Sequence, residues 1–381
     1  MKLITFQWKQ NKWDQNIETS LDSPNTLVLV FGSASLRERI DIFSELRSFF
    51  PQSILMGCST AGEIYNSEVF DNSLSVGVAR FETCRLKSVT MAIESVGESY
   101  SIGRESTKLL LQEDLKAIFV LSEGININGT KLVQGINSII SPGTIIFGGL
   151  AGDGSDFKNT WVIKNGKPFS NHVSMVGIYG DRIEIGVGSE GGWNAFGPDR
   201  KITKSNDNVL YELDGQPALG LYKLYLGKDS EMLPGSALLF PILLKSEFMD
   251  TSGIVRTVLS VDEKKQAMTF AGDMPEGSIV QLMNASSDNL IMGAKQAAVQ
   301  AAGCKKWEND SPVLSIAISC VGRRLVLGEN VEDETEAVFE SLPPTTRQIG
   351  FYSYGEISPN RLNKCDLHNQ TMTLITFKET V

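Results

Sequence analysis

One arrangement recurs three times in this chain of 381 residues and limits the folds open to it. Each time, a continuous apolar run leads into an amphipathic stretch, a second apolar run, a glycine-rich turn and a final alternating run. The first unit runs through 26–31, 35–47 and 53–56 to Gly57-Cys-Ser-Thr-Ala-Gly-Glu-Ile64 and then 73–81. The second runs through 116–122, a stretch holding Leu132, Val133, Ile136 and Ile139, then 144–147, Gly148-Gly-Leu-Ala-Gly-Asp-Gly154 and 173–179. The third has 313–319, a stretch with Thr335, Val338, Phe339 and Leu342, then 348–357 and 371–377. A polar pair precedes each last run: Asp71-Asn72, Asn171-His172 and His368-Asn369. Continuous apolar runs of this length predict strands buried on both faces, and alternating ones predict strands with one face covered. Leu36, Ile40, Phe43 and Leu46 recur at three and four, which predicts a helix with Ser35 as its N-cap. Each unit is therefore read as a strand, a crossover helix, a parallel strand and a returning strand.

Between the second and third units, residues 198–300 look different. Alternating strands at 254–259 and 267–270 lead to an alanine-rich helix over 289–302. The fold class expected is α/β, two-lobed, with mixed sheets built from the repeated strand-helix-strand-strand units. At roughly 150 residues per folding unit the length allows two or three domains, and the boundary is placed at 1–215 and 216–381, past Gly197-Pro198.

Composition then removes several functions. Lys and Arg total 35 against 45 Asp and Glu, a net charge of -10, which disfavours phosphate backbones and anionic membrane surfaces. No nucleic-acid partner is expected. The longest apolar stretches, such as 236–244, are far short of the ~20 residues of a membrane span, and the amino terminus lacks a signal-peptide core. Five scattered cysteines (Cys58, Cys84, Cys304, Cys320, Cys365) form no CxxC pair, arguing against a disulfide framework or a zinc ribbon and for a reducing, cytoplasmic setting. With 2 histidines, little room is left for multi-His metal sites or His-based proton relays.

The glycine turns do not fit nucleotide sites. Gly57-x4-Gly62 is followed by Glu63 where a phosphate loop needs Lys, and 148–154 has the wrong spacing for a dinucleotide fingerprint. Gly57-Cys58-Ser59-Thr60-Ala61 resembles a nucleophile elbow, and Ser59, Asp153 and His368 occur in hydrolase order. A hydrolase using Ser59 or Cys58 thus stands as one alternative, although the segment after Gly62 does not look like the helix an elbow requires. His172 and His368 each sit beside an Asn before a strand; each is read either as a strand cap or as the axial ligand of a non-covalent haem. Trp193, with Phe196 in a glycine-flanked loop, packs a domain interface or walls a pocket. Cys320-Val-Gly-Arg-Arg324 follows a buried strand; Arg323 and Arg324 are read either as an ordinary surface pair or with one of them turned into the cleft to pair Glu356 or a ligand carboxylate.

In order along the chain come Gly57-Cys-Ser-Thr-Ala-Gly-Glu-Ile64, Gly148-Gly-Leu-Ala-Gly-Asp153, Gly192-Trp193 with Phe196-Gly-Pro198, Ser319-Cys320-x-Gly322-Arg323, Gly350-Phe-Tyr-x-Tyr-Gly-Glu-Ile357 and His368-Asn369-x-Thr371. This ordered set resembles the FIST sensory domain, with its FIST N and FIST C parts, over roughly 25–378. The resemblance implies a bacterial or archaeal intracellular sensory module for a small ligand, with amino acids or related metabolites as the proposed class. It also implies a separate signalling partner: a histidine kinase, a cyclic-di-nucleotide enzyme or a chemotaxis receptor. Some members act as haem-based nitric-oxide sensors, so haem is the possible cofactor and His172 or His368 its possible ligand. The family carries no established catalytic residues, and no enzyme activity is expected. The ligand site is expected in a cleft at the carboxyl ends of the buried strands, where the glycine turns converge. Its candidate residues are Cys58, Ser59, Thr60, Glu63, Asp153, Trp193, Cys320, Arg323 and Glu356. Ser59 and Thr60 are expected to donate hydrogen bonds, Glu63 or Glu356 to fix an ammonium, Arg323 to take a carboxylate and Trp193 to close the pocket.

Overall fold

A strand buried on both faces must give each row of side chains a packing partner, and the three units solve this in the same way. The computed structural model describes residues 1–245, 253–303, 312–360 and 364–380. In the first unit Thr26–Ser33 lies parallel to Ile54–Thr60 and antiparallel to Leu74–Arg80. In the second, Leu115–Ser122 is parallel to Ile145–Leu150 and antiparallel to His172–Tyr179. The third repeats this with Val313–Cys320, Thr346–Ser353 and Met372–Glu379. Three mixed sheets result, and the strand preceding each unit (Lys2–Lys9, Arg85–Ala92, Ile183–Glu190) extends its edge.

The hairpin that follows each glycine turn does not stay with its own sheet. Glu63–Tyr65 and Glu68–Phe70 of the first unit extend the third sheet by pairing with Thr346–Ser353. Gly355–Pro359 and Cys365–His368 of the third unit extend the second sheet at Ile145–Leu150. Val162–Lys164 and Lys167–Phe169 of the second unit extend the first sheet, with Val162 opposite Cys58. The exchange is cyclic and closes on itself.

The inner faces of all three sheets meet in one core. Phe31 stacks on Phe351 at 4.6 Å between ring centres, and Phe147 touches both Phe119 at 5.1 Å and Phe377 at 5.4 Å. Helices cover the outer faces: Ile40–Phe49 on the first sheet, Ser99–Leu110 with Gly129–Asn137 on the second, Ser287–Ala302 with Val331–Glu340 on the third. The alanine-rich helix lies close to its sheet because the adjoining strand carries Gly186 and Gly188. A Cβ at either would fall 1.8 or 1.9 Å from a helix carbonyl, of Ala301 or Ala297.

The second lobe is inserted between Glu190 and Ser287. It is an eight-stranded antiparallel sheet running from Asn194–Asn206 to Ile279–Asn284, with Ala218–Leu226 packed on its own core of Leu210, Leu219, Tyr222, Met268 and Phe270. The chain enters and leaves through neighbouring strands, since Asn194 pairs with Asn284. The 215/216 boundary read from the sequence falls inside this sheet, in the turn before Gln216–Pro217. Among the described residues no helix is long and apolar enough to cross a membrane.

Three local readings change. The first helix starts at Ile40, not at Ser35: residues Ala34–Glu38 form a separate 3-10 turn, and Ser35 Oγ bonds Ser33 and Asn72 rather than a helix amide. The 254–259 run breaks at Thr257 into Ile254–Arg256 and Val258–Asp262. The turn residues before the last strands are Asn72, Asn171 and Gln370, all at positive φ (56°, 54° and 62°), so Asn369-Gln370, not His368-Asn369, is the third pair.

Phe351 sits where first and third sheets meet, so Phe351→Ala is expected to cost about 3–5 kcal/mol. Urea unfolding should show the loss as a lower midpoint with an unchanged slope.

Candidate functional site

The glycine turns do converge, but backbone fills the point of convergence. Ala61 N–H donates to the Tyr352 carbonyl (2.8 Å), Gly152 N–H to that of Ser59 (3.0 Å), and Tyr354 N–H to that of Leu150 (3.2 Å). Ser59 is wholly buried there, its Oγ accepting from Trp161 N–H at 3.0 Å. Cys58 lies beneath it, and burial pushes its thiol well above the ordinary range.

Glu63 and Glu356 occupy equivalent places in two of the three exchanges. Thr60 hydroxyl bonds Glu63 Oε1, while Ser73 gives its N–H and hydroxyl to Oε2 at 3.0 and 2.8 Å. Ser353 hydroxyl bonds Glu356 Oε1 at 2.5 Å, and Thr371 gives its N–H and hydroxyl to Oε2 at 3.3 and 3.0 Å. Each carboxyl thus ties a glycine turn to the strand that returns after the hairpin. The third exchange has Val162 in that register. Burial pushes Glu63 up to about 7 and Glu356 up to about 8, against the opposing pull of their hydroxyl and amide partners. Neither fixes an ammonium in this arrangement, because both are enclosed by their own partners.

Arg323 is committed as well. Its Nε donates to Glu334, Nη2 to Glu334 (2.6 Å) and the Leu290 carbonyl (2.8 Å), and Nη1 to the Gly191 and Gln370 carbonyls. These contacts use all five guanidinium hydrogens, so none remains for a ligand carboxylate. It pairs with Glu334 rather than Glu356; Glu334 also accepts from Ser319 and Tyr352 hydroxyls at 3.0 and 2.9 Å. Arg324 reaches the Ala61 carbonyl and Asp71. Trp193 donates its indole N–H to the Gln370 carbonyl at 2.8 Å and braces the same junction.

The open space lies beside these groups, at the carboxyl end of Val313–Cys320, where the inserted lobe covers it. A cavity of about 230 Å³ is walled by Cys320, Val321 and Tyr354 from the core lobe and by Thr257, Val258 and Ala271 from the inserted one. Cys320 is thus the candidate that reaches the cavity itself; burial, then the Glu356 charge, raises its thiol far above the ordinary value. Asp153 acts one step away. Its carboxylate accepts from the N–H groups of Phe157, Lys158 and Asn159 and from Tyr354 hydroxyl. Burial works to raise Asp153, but the Tyr354 and amide bonds outweigh it and hold the group below its ordinary value. The loop so fixed carries Phe157, stacked on Tyr354 at 4.3 Å, into the cavity wall.

Asn369 also lines the cavity, 1% exposed, and neither its amide nitrogen nor its amide oxygen has a partner within the protein. Thr257 Oγ1 across the cavity is likewise unpaired. An orphaned buried polar group costs about 1–3 kcal/mol, so these atoms mark where a partner is wanted. The described residues that line the cavity include no charged side chain. The sequence presents Asn369 as half of a polar pair and part of the His368-Asn369-x-Thr371 motif, and Thr257 as an ordinary strand residue; neither carries a signal of a ligand contact, and the break at Thr257 shows only in the structure.

The two lobes meet around this space. Arg256 donates to the Leu367 carbonyl at 2.8 Å, and Asp273 accepts from Asn128 Nδ2 at 2.9 Å and pairs with Lys131 at 3.2 Å. Burial lowers Arg256 to about 10. His368 is beside this contact, with Nε2 3.3 Å from the Ser358 carbonyl; burial, then the Arg256 charge, lowers it to about 4, so it is neutral. His172 holds the Ser170 carbonyl at 2.7 Å and Lys164 at 3.2 Å. Neither histidine lines the cavity, and 230 Å³ does not take a porphyrin, so these residues do not fit a haem. Ser59, Asp153 and His368 bond separate partners and form no relay. Among the described residues no three His, Cys, Asp or Glu cluster to hold a metal ion.

A FIST N domain model matches residues 26–216 and a FIST C domain model matches 218–359. The chain belongs to the FIST family. FIST domains are, as a class, small-ligand sensory domains. This FIST chain is 21% identical to an uncharacterized protein of Methanocaldococcus jannaschii over 357 residues, 87% of its own length and 66% of the relative's. It thus spans a little under two thirds of that relative. A crystal structure of cyanuric acid hydrolase from A. caulinodans aligns over 78% of the FIST chain and 100% of the hydrolase at 11% identity, with a TM-score of 0.19, too low to carry an argument.

Two outcomes follow for the buried charges. With folded values above the unfolded ~4.5, Glu63 and Glu356 hold protons more tightly in the folded chain, so they stabilise below that value. That stabilisation is lost as pH rises through about 7 and about 8. Stability should therefore fall across this window by up to ~1.4 kcal/mol per pH unit for each group. Urea midpoints of Glu63→Gln and Glu356→Gln should show a flatter decline. Glu334→Ala, which leaves Arg323 buried without its counter-charge, should cost about 3–5 kcal/mol in the same assay.

Proposed function

We propose that this chain is a non-catalytic sensor that takes a small ligand, of the size of an amino acid or a related metabolite, into the cavity between its lobes. The observation that carries this reading is the pair of unpartnered polar side chains, Asn369 and Thr257, contributed to one cavity by opposite lobes. A ligand touching both is bound more tightly in one lobe orientation than in others, and that difference is what shifts a conformational population. The inserted lobe is tethered at two adjacent points, Gly191-Gly-Trp193 and Asn284, and Arg323 and Trp193 anchor the first of these to the core. A change in its orientation would be read by a separate partner: a histidine kinase, a cyclic-di-nucleotide enzyme or a chemotaxis receptor.

The reading is tested by titrating the whole chain with pooled amino acids and their derivatives in a calorimeter and a thermal-shift assay. A pool component should raise the Tm of the wild type. Ala271→Trp, which fills the cavity, should abolish the effect, while Glu63→Gln should retain it. Binding that survives Ala271→Trp would place the ligand elsewhere and overturn the assignment. Electrophilic probes for serine and cysteine nucleophiles should leave Ser59 and Cys58 unmodified in the folded chain; rapid labelling of either would point to catalysis instead.

A further inference from the structure

The chemistry of the cavity narrows the ligand, an inference that rests on the lobe-junction reading above. An amino-acid zwitterion brings an ammonium and a carboxylate, and burying either without a counter-charge is strongly unfavourable. The described lining residues offer none: the nearby charged groups are bonded elsewhere, Arg323 to Glu334 and three backbone carbonyls, Asp153 to Tyr354 and its loop amides, and Glu356 to Ser353 and Thr371. Cys320, buried in the same lining, is a neutral thiol.

What the cavity does offer is one planar group. The Asn369 carboxamide, 1% exposed, has a free donor and a free acceptor in the same plane, and Thr257 Oγ1 on the opposite lobe adds a further donor or acceptor. A carboxamide edge is matched by a second amide edge held cis, as in a lactam or an imide, which returns one N–H and one C=O in parallel bonds. Most of the remaining wall is hydrocarbon, with Ser155, Cys320 and the Asp153-bonded Tyr354 as its other polar side chains, and Phe157, Leu259 and Leu325 of that lining stand 45%, 44% and 48% exposed. We propose that the lobe-junction cavity binds an uncharged cyclic amide with an apolar ring, its amide edge on Asn369 and its ring against Val258, Val321 and Leu325. The hydroxyl of Thr257 then bonds the ligand carbonyl from the second lobe, so the same group that gives affinity also reports occupancy to the inserted lobe.

The test uses the full chain and three probes of similar size: ε-caprolactam, cycloheptanone, which keeps the ring and the carbonyl but lacks the N–H, and L-leucine, which is zwitterionic. Affinities are read by ligand-observed NMR titration. Caprolactam is expected to bind at least about tenfold more tightly than either other probe, the scale of one or more buried hydrogen bonds. Asn369→Leu should erase that preference; Thr257→Val, which serves if the first variant does not fold, should weaken caprolactam and cycloheptanone alike, since both keep the carbonyl, and unchanged caprolactam affinity in it would overturn the proposed contact. If leucine or cycloheptanone binds the wild type as well as caprolactam and Ala271→Trp abolishes that binding, the cavity is the ligand site but the amide class is wrong. If no probe binds, the amide class is likewise overturned. If probes bind equally to wild type and Ala271→Trp, both this inference and the lobe-junction reading fall.

Discussion

The cyclic exchange of hairpins is the constraint on which the rest of the structure depends. Each of the three sheets is completed by a hairpin from another unit, and each glycine turn is where the chain crosses from one sheet to the next. Because the crossing points hydrogen-bond one another through Ala61, Gly152, Tyr352 and Tyr354, the three sheets are held with their apolar faces inward around Phe31, Phe147 and Phe351. Backbone amides cannot be left unpaired in such a core. That requirement fills the place where a ligand was expected and displaces the open space outward, to the end of the third unit's first strand.

The repeats were legible because strands buried on two faces leave continuous apolar runs, and because Glu63-Ile64 and Glu356-Ile357 follow glycines at matching distances. The exchange was not legible. A three-residue strand such as Glu63–Tyr65 has the same alternation whichever edge it joins, and closure of three sheets decides the choice. Arg323 and Glu356 are read from the sequence as ligand contacts, and the structure gives them internal partners: Glu334 for the first, Ser353 and Thr371 for the second. Glu334 stands between Asp333 and Thr335 in an acidic first turn and reads as a solvated face. Burial here is a property of the third sheet and the inserted lobe together, and a single run of sequence does not contain it.

The candidate residues therefore divide by what they touch. Ser59, Thr60, Glu63 and Glu356 stitch turns to strands, and Arg323 with Trp193 locks the base of the inserted lobe onto the Gln370 carbonyl. Asp153 sets the loop bearing Phe157, and Cys320 faces the space that remains. Residues at the cavity and residues at the tether are close in sequence, Cys320 three positions before Arg323 and Asn369 next to Gln370. Under the proposed reading, an occupant of the cavity would act on the same two short segments that hold the lobes together.

The exchanged hairpins also bear on where the chain may be cut. A piece ending near residue 216 would keep the Glu63–Phe70 hairpin but lose the strand Thr346–Ser353 that receives it, and Ile145–Leu150 would lose the hairpin that caps it. Two sticky β-edges would then face water, the condition under which chains pair with one another instead of with themselves. The two halves matched along the sequence, 26–216 and 218–359, therefore cut across the closed ring of three sheets.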